Sequence, residues 1–188
     1  MLSRLAPLPF VVALAMLTAC SEPGPASRFA ESTTVVAIGD SIMVGAEDHL
    51  TDLIDGIEID AEVGRPFRDG IAAVERRLSA GTAPDVLVVG LGTNAGTSTE
   101  AIDELVAAAD RAGRIVFVNV RVPRTWEATT NTALADAASR YDKVEIVDWY
   151  RASSERGDLF RTDGYHPNEV GSELWANLIV AGIKDTGG

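Results

Sequence analysis

"VVAIGDSIMVG", residues 35–45, runs four apolar or small residues into Gly39-Asp40-Ser41 and then turns apolar again. A short β-branched run, a Gly-Asp-Ser punctuation and a second apolar segment read as a strand, a tight turn and the opening of a helix. Such a unit leaves an acid and a hydroxyl at the rim of a sheet. Either the turn requires them as punctuation, or the hydroxyl is a nucleophile held at a strand end.

The same unit recurs along the chain. Strands are predicted at 34–38, 57–61, 85–91, 114–120 and 144–149, and helices at about 42–54, 67–80, 99–112, 127–140 and 168–182. Ile102, Leu105, Val106 and Ala109 fall at i, i+3, i+4 and i+7, an apolar stripe that needs a sheet to cover it. Near-continuous apolar strands alternating with helices over short connections predict a five-stranded parallel sheet inside a three-layer α/β/α sandwich. In such sheets ligands sit off the carboxyl ends of the strands, so chemistry is to be sought directly after each strand.

Composition bounds the rest. The chain has 188 residues, 46% of them hydrophobic and 23% charged, enough for one substantial core. Residues 1–19 stand apart: one cation, the apolar run "LPFVVALAMLT", then Thr18-Ala19-Cys20, the layout of a signal peptide. Small residues before Cys20 resemble a bacterial lipobox, which implies lipidation at Cys20 and an extracytoplasmic protein anchored to the cell membrane. Cys20 is the single cysteine, so an internal disulfide is excluded. Residues 20–32 read as a flexible tether and 33–188 as one domain. Loss of residues 1–19 removes one Arg and no acid, leaving the remainder one unit more acidic than the formal −12 of the whole chain. That balance excludes nucleic acid as a partner and disfavours an anionic partner approached without steering.

The strand ends supply Gly39-Asp40-Ser41, Gly64-Arg65-Pro66, Gly92-Thr93-Asn94 and Arg121-Val122-Pro123-Arg124, and the last long loop supplies Asp163-Gly164-Tyr165-His166-Pro167. A serine hydroxyl is a weak nucleophile until a base takes its proton, and histidine titrates in the range that suits the task. A carboxylate must then fix the imidazole tautomer. Asp163 and His166 are close enough for a turn through Gly164 to bring them together, and Pro167 is placed to open the last helix at its first position. Asn94 offers side-chain N–H donors to a developing oxyanion, and the amides of Gly64 and Ser41 offer two more. Asp40 is expected to bond local amides and shape the turn that presents Ser41.

"GDS", a separate glycine, "GTN" and "DGYHP" match in order the blocks of the SGNH or GDSL hydrolase superfamily, and the chain resembles that superfamily over residues 33–183. The resemblance implies a flavodoxin-like fold, Ser41 as nucleophile, His166 as base, Asp163 as its orienter, and Ser41, Gly64 and Asn94 as the oxyanion hole. Gly70 is the alternative to Gly64. It implies no cofactor. "IGDSIMVGA", "VGLGTNAG", "VNVRVPRTWE", "DWY" and "DGYHP" are similar to the extracellular domain of bacterial peptidoglycan O-acetyltransferases. Those relatives carry the domain behind a multi-span acyltransferase module that is not found in this sequence. The implied activity is therefore an esterase or O-acyltransferase acting on short acyl esters of cell-envelope glycans, with a separate membrane protein as a candidate acyl donor.

Other readings weigh less. Ser41 alone could be a helix cap, but Asn94, Asp163 and His166 then have no reason to accompany it. A metal site on Asp163 and His166 lacks further ligands, and His49 reads as a surface residue among acids. "GLGTNA", 90–95, fits a dinucleotide pattern but sits on the wrong strand, and Met43 stands where an α/β-hydrolase elbow needs glycine. Arg121, Arg124 and Trp126 are either substrate contacts or parts of a structural turn. A non-catalytic glycan-binding lipoprotein is the alternative from another class.

Overall fold

A computed structural model describes residues 33–184. The expected signal segment, Cys20 and the tether lie outside the described residues. Five strands, β1 (Val35–Gly39), β2 (Glu58–Ala61), β3 (Val86–Gly90), β4 (Arg114–Val118) and β5 (Val144–Val147), form one sheet in the order β2-β1-β3-β4-β5, every pair parallel. The predicted five-stranded parallel sheet is present.

Seven helices connect and cover it: α1 (Ser41–Val44), α2 (Glu47–Leu53), α3 (Phe67–Ala80), α4 (Thr99–Ala108), α5 (Glu127–Arg140), α6 (Trp149–Ser153) and α7 (Glu169–Lys184). Successive strand side chains point to opposite faces, so Val36, Ile38, Leu87, Val89, Ile115 and Phe117 join α3, α4 and α5 in one core. Val35, Ala37, Val86, Val88, Val116 and Val118 meet α1, α2 and α7 in the other. Residues Ile102, Leu105, Val106 and Ala109 are all buried in the first core, as their spacing requires.

The helix expected over 42–54 is two helices. Gly45 N–H bonds Ser41 O at 3.2 Å and Ala46 N–H bonds Met43 O at 2.9 Å, a tightened turn that closes α1 before α2 begins. The last helix starts at Glu169 rather than at Pro167, because Asn168 caps it: Asn168 Oδ1 accepts from Gly171 N–H at 3.1 Å. The short α6 and a 3-10 turn at Gly157–Leu159 have no counterpart in the sequence reading.

From β1 the chain crosses to β2 on one side, and from β3 to β4 on the other, so the carboxyl ends of β1 and β3 frame the switch point where a crevice opens. Both strands end in glycine there, Gly39 paired with Gly90. A Cβ on Gly90 would stand 3.1 Å from Trp175 Cζ2 and 3.2 Å from Met43 Cε, so its absence lets α1 and α7 close on the sheet.

Candidate active site

Asp40 ends β1 and caps α1, its Oδ1 accepting from Ile42 N–H at 3.0 Å. Ser41 is thereby the first residue of α1 and stands off the sheet. Its Oγ lies 2.9 Å from His166 Nε2, across a sequence separation of 125 residues. His166 Nδ1 lies 2.8 Å from Asp163 Oδ2. With the Nδ1–H tautomer, the imidazole donates to Asp163 and leaves Nε2 to accept from the Ser41 hydroxyl.

The loop bearing His166 is held from several directions. Asp163 Oδ1 accepts from Tyr165 N–H at 3.1 Å and His166 N–H at 3.0 Å, with Gly164 at φ +79° making the turn. Arg161 N–H bonds His166 O at 2.8 Å, and Asn168 Nδ2 donates to Asp158 O at 2.7 Å. Burial pushes the Asp163 carboxyl up, but the two amides, the imidazole hydrogen bond and its charge together bring it down to about 2. Tyr165 stacks on His166 with ring centroids 4.2 Å apart.

Asp40 does more than shape a turn. It is fully buried, and its Oδ2 accepts from Thr93 N–H at 3.3 Å, so one carboxylate spans the Ser41 turn and the loop that carries Asn94. Burial pushes its carboxyl up to about 6 against the pull of those amides, the Thr93 hydroxyl and the His166 charge. The sequence identified Asp40 as a local cap; the bond to Thr93, 53 residues away, is invisible without the β1–β3 pairing.

Gly64 follows β2 at φ +80° and lines a cleft with Asn94. Gly70 instead lies inside α3, where a Cβ would collide with Leu91, so it is a packing glycine. Asn94 Nδ2 is buried without a hydrogen-bond partner among the described residues, a costly arrangement for a donor unless a ligand atom is to occupy it. Arg65 braces this corner, its Nη1 donating to Gly39 O at 3.2 Å and to Asp60 O at 2.6 Å.

Two clefts adjoin where Val63 passes to Gly64 and Tyr165 to His166. One, of about 210 Å³, is lined by Ser41, Val44, Gly45, Val63, Arg161 and His166 among others. The second, of about 310 Å³, holds Gly64, Asn94, Arg124, Trp126 and Tyr165. Arg124 and Trp126 are thus placed at the cleft, and the same segment is also a structural turn, with Arg124 N–H bonding Val122 O at 2.7 Å. Arg121 is not placed with them. Its Nη1 reaches Glu127 at 3.3 Å, its guanidinium lies 5.7 Å from the Tyr150 ring centre, and it lines a small space with Asp40, Asn119 and Trp149. His49 is not simply a surface residue: its Nε2 lies 3.2 Å from Glu169 at the start of α7. Arg161 and Tyr165 were missed as site residues; Tyr165 lies inside the "DGYHP" block and Arg161 two residues before it, and that was the only signal for either.

Among the described residues no group of His, Cys, Asp and Glu could hold a metal ion, and no helix is long and apolar enough to cross a membrane.

No family model matches the chain. A solved esterase described as an SGNH-hydrolase family member superposes with a TM-score of 0.53 and 19% identity, covering 85% of this chain and 99% of that one. The fold is that of the SGNH hydrolases. Another solved neighbour is the C-terminal catalytic domain of Streptococcus pneumoniae peptidoglycan O-acetyltransferase A, solved with a methylsulfonyl adduct. Its TM-score is 0.73 at 19% identity, with 81% of this chain and 93% of that chain covered. In sequence, the chain is 35% identical over 149 residues to the peptidoglycan O-acetyltransferase OatA of Listeria monocytogenes, covering 79% of this chain. It spans only 24% of that protein's length.

Proposed function

We propose that the chain is a serine esterase or O-acetyltransferase that forms an acyl-Ser41 intermediate and acts on acetyl esters of cell-envelope glycans. The observation that carries this reading is the hydrogen-bond chain from Ser41 Oγ to His166 Nε2, 2.9 Å, and from His166 Nδ1 to Asp163, 2.8 Å. SGNH neighbours and relatives named as peptidoglycan O-acetyltransferases support it.

Ser41 Oγ attacks the acyl carbonyl carbon as His166 Nε2 takes its proton, and the carbonyl oxygen gains the charge. Asn94 Nδ2, Gly64 N–H and Ser41 N–H donate to that oxyanion, and the unpartnered state of Asn94 Nδ2 supports its role. Collapse expels the alcohol, which takes the proton from His166. Water or a sugar hydroxyl then attacks the acyl-serine with His166 again as base. Asp163 keeps Nδ1–H fixed throughout and faces the imidazolium as it forms.

The wild-type protein is expected to take a fluorophosphonate label at Ser41 and to cleave an aryl acetate. Ser41→Ala should abolish both and His166→Ala should cost nearly as much, since such residues act as a unit. Undiminished turnover by Ser41→Ala refutes the mechanism, and an unlabelled wild type favours a binding protein. Mass spectrometry after incubating an acetyl donor with cell-wall oligosaccharides separates transfer, seen as acetylated sugar, from hydrolysis, seen as acetate alone. A membrane anchor through lipidated Cys20 is part of the same proposal: metabolic fatty-acid labelling should be lost in Cys20→Ala.

A further inference from the structure

The protein is acidic overall, with 28 Asp and Glu against 16 Lys and Arg. Its arginines are accordingly well supplied with partners. Of the twelve among the described residues, Arg65, Arg68, Arg76, Arg77, Arg114, Arg121, Arg140 and Arg156 each pair with a carboxylate. Arg111 donates to the carbonyls of Leu78 and Gly81. The three others without a carboxylate partner are Arg151, Arg124, whose Nη1 donates to its neighbour Pro123 O at 3.4 Å, and Arg161; the last two line the two adjoining clefts, of which the one with Arg161 also holds Ser41.

The environment of these two is unusual for this chain. Neither cleft has an Asp or Glu in its lining. The carboxylates nearest the chemistry are already engaged: Asp40 is enclosed and held by the Ile42 and Thr93 amides, and Asp163 by the imidazole and two amides. Arg124 is steadied over the Tyr165 ring, 5.8 Å to its centre, and Tyr165 stacks on His166. Arg161 donates its Nε to Pro167 O at 3.1 Å, lines the first cleft and makes no ion pair among the described residues. A third cleft of about 570 Å³ continues from the second through Pro66, Ala95 and Trp126, and it too is lined by an arginine, Arg68, and no acid.

An acidic protein that withholds carboxylates from adjoining clefts and lines them with arginines is complementary to an anion there, while its net charge repels anions elsewhere. Guanidinium forks bind carboxylates through paired, charge-assisted hydrogen bonds. Resting on the esterase reading above, we infer that the sugar whose ester is presented to Ser41 carries a carboxylate, docked by Arg124 and Arg161, with Trp126 alongside the ring in the second cleft. The charged group, rather than the acyl chain, is then the element by which the enzyme selects its substrate.

The test compares kcat/KM of the full chain for three acetylated monosaccharides, one neutral, one with a carboxylate and one with a phosphate in its place. Aryl acetate turnover is measured in parallel. The carboxylate sugar is expected to lead the neutral one about tenfold at low salt, with the lead shrinking as salt is raised. Arg124→Gln and Arg161→Gln should each cut that ratio several-fold, mainly through KM, whereas Arg151→Gln, outside the clefts, should leave it as in wild type. Equal rates on neutral and carboxylate sugars overturn the inference, as does a ratio that survives both cleft variants. A lead for the phosphate sugar over the carboxylate sugar overturns the carboxylate assignment. Absence of aryl acetate turnover strikes the esterase reading itself and is thereby distinguished from failure of the charge preference.

Discussion

Replacing Asp40 by asparagine tests the buried carboxylate that joins the two halves of the site. The folded-state pKa of Asp40 is raised from 3.8 to about 6 by burial, so the folded protein holds this proton more tightly than the unfolded chain. The stability linked to that proton is fully present below about 3.8 and is lost as pH rises through about 6. A shift of about two units, at roughly 1.4 kcal/mol each, amounts to about 3 kcal/mol across the window. The amide of the Asp40→Asn variant stays neutral and lacks this slope, but its N–H2 would face one of the two N–H donors that Asp40 now accepts, costing about 1–3 kcal/mol. Urea unfolding should therefore show wild type ahead by about that amount at pH 4, with the lead shrinking or reversing by pH 8. Catalysis should move independently of this. With the Thr93 amide released, the loop bearing Asn94 loses its tie to the Ser41 turn, and kcat for an aryl acetate should fall about tenfold to a hundredfold with KM little changed. A stability difference independent of pH, or an unchanged kcat, refutes the reasoning.

Three further outcomes are expected. Asn94→Ala should lower kcat about 10²- to 10³-fold in the aryl acetate assay while leaving the unfolding midpoint close to wild type, since Nδ2 has no partner among the described residues to lose. Asp163 is held down to about 2, so its contribution to stability is present above about 3.8 and lost as pH falls toward 2; Asp163→Asn should flatten the unfolding profile in that interval. Trp175→Ala, at a site only 2% exposed between Gly90 and the second core, should cost about 3–5 kcal/mol and lower Tm in calorimetry.

Features that arise within a few residues were legible in the sequence, and those that arise between distant segments were not. Short β-branched, apolar runs located all five strands, because a strand covered on both faces needs apolar side chains toward each core. The stripe Ile102, Leu105, Val106, Ala109 located α4 for a similar reason. Boundaries failed where side chains compete with backbone: Asn168 displaced Pro167 as the opening of α7, and the tightened turn at Gly45 split one expected helix into two. In the site, Asp163 and His166 were legible together because the turn that joins them spans only three residues. The Asp40–Thr93 bond was not, since it arises from strand pairing between distant segments, and Arg161 was not, since nothing in its own neighbourhood distinguishes an unpaired arginine from a paired one.

The span between Ser41 and His166 has a consequence for when the protein can work. Ser41 is carried by the first β-α unit and the His166 imidazole by the loop that precedes the last helix, 125 residues on. That loop runs directly into α7, whose Trp175, Ile179 and Ile183 seat in the second core. On the proposed mechanism, a chain cut before α7 keeps Ser41 and His166 but lacks the helix that follows the His166 loop, so the pair is expected to be completed only as the last element of the fold docks.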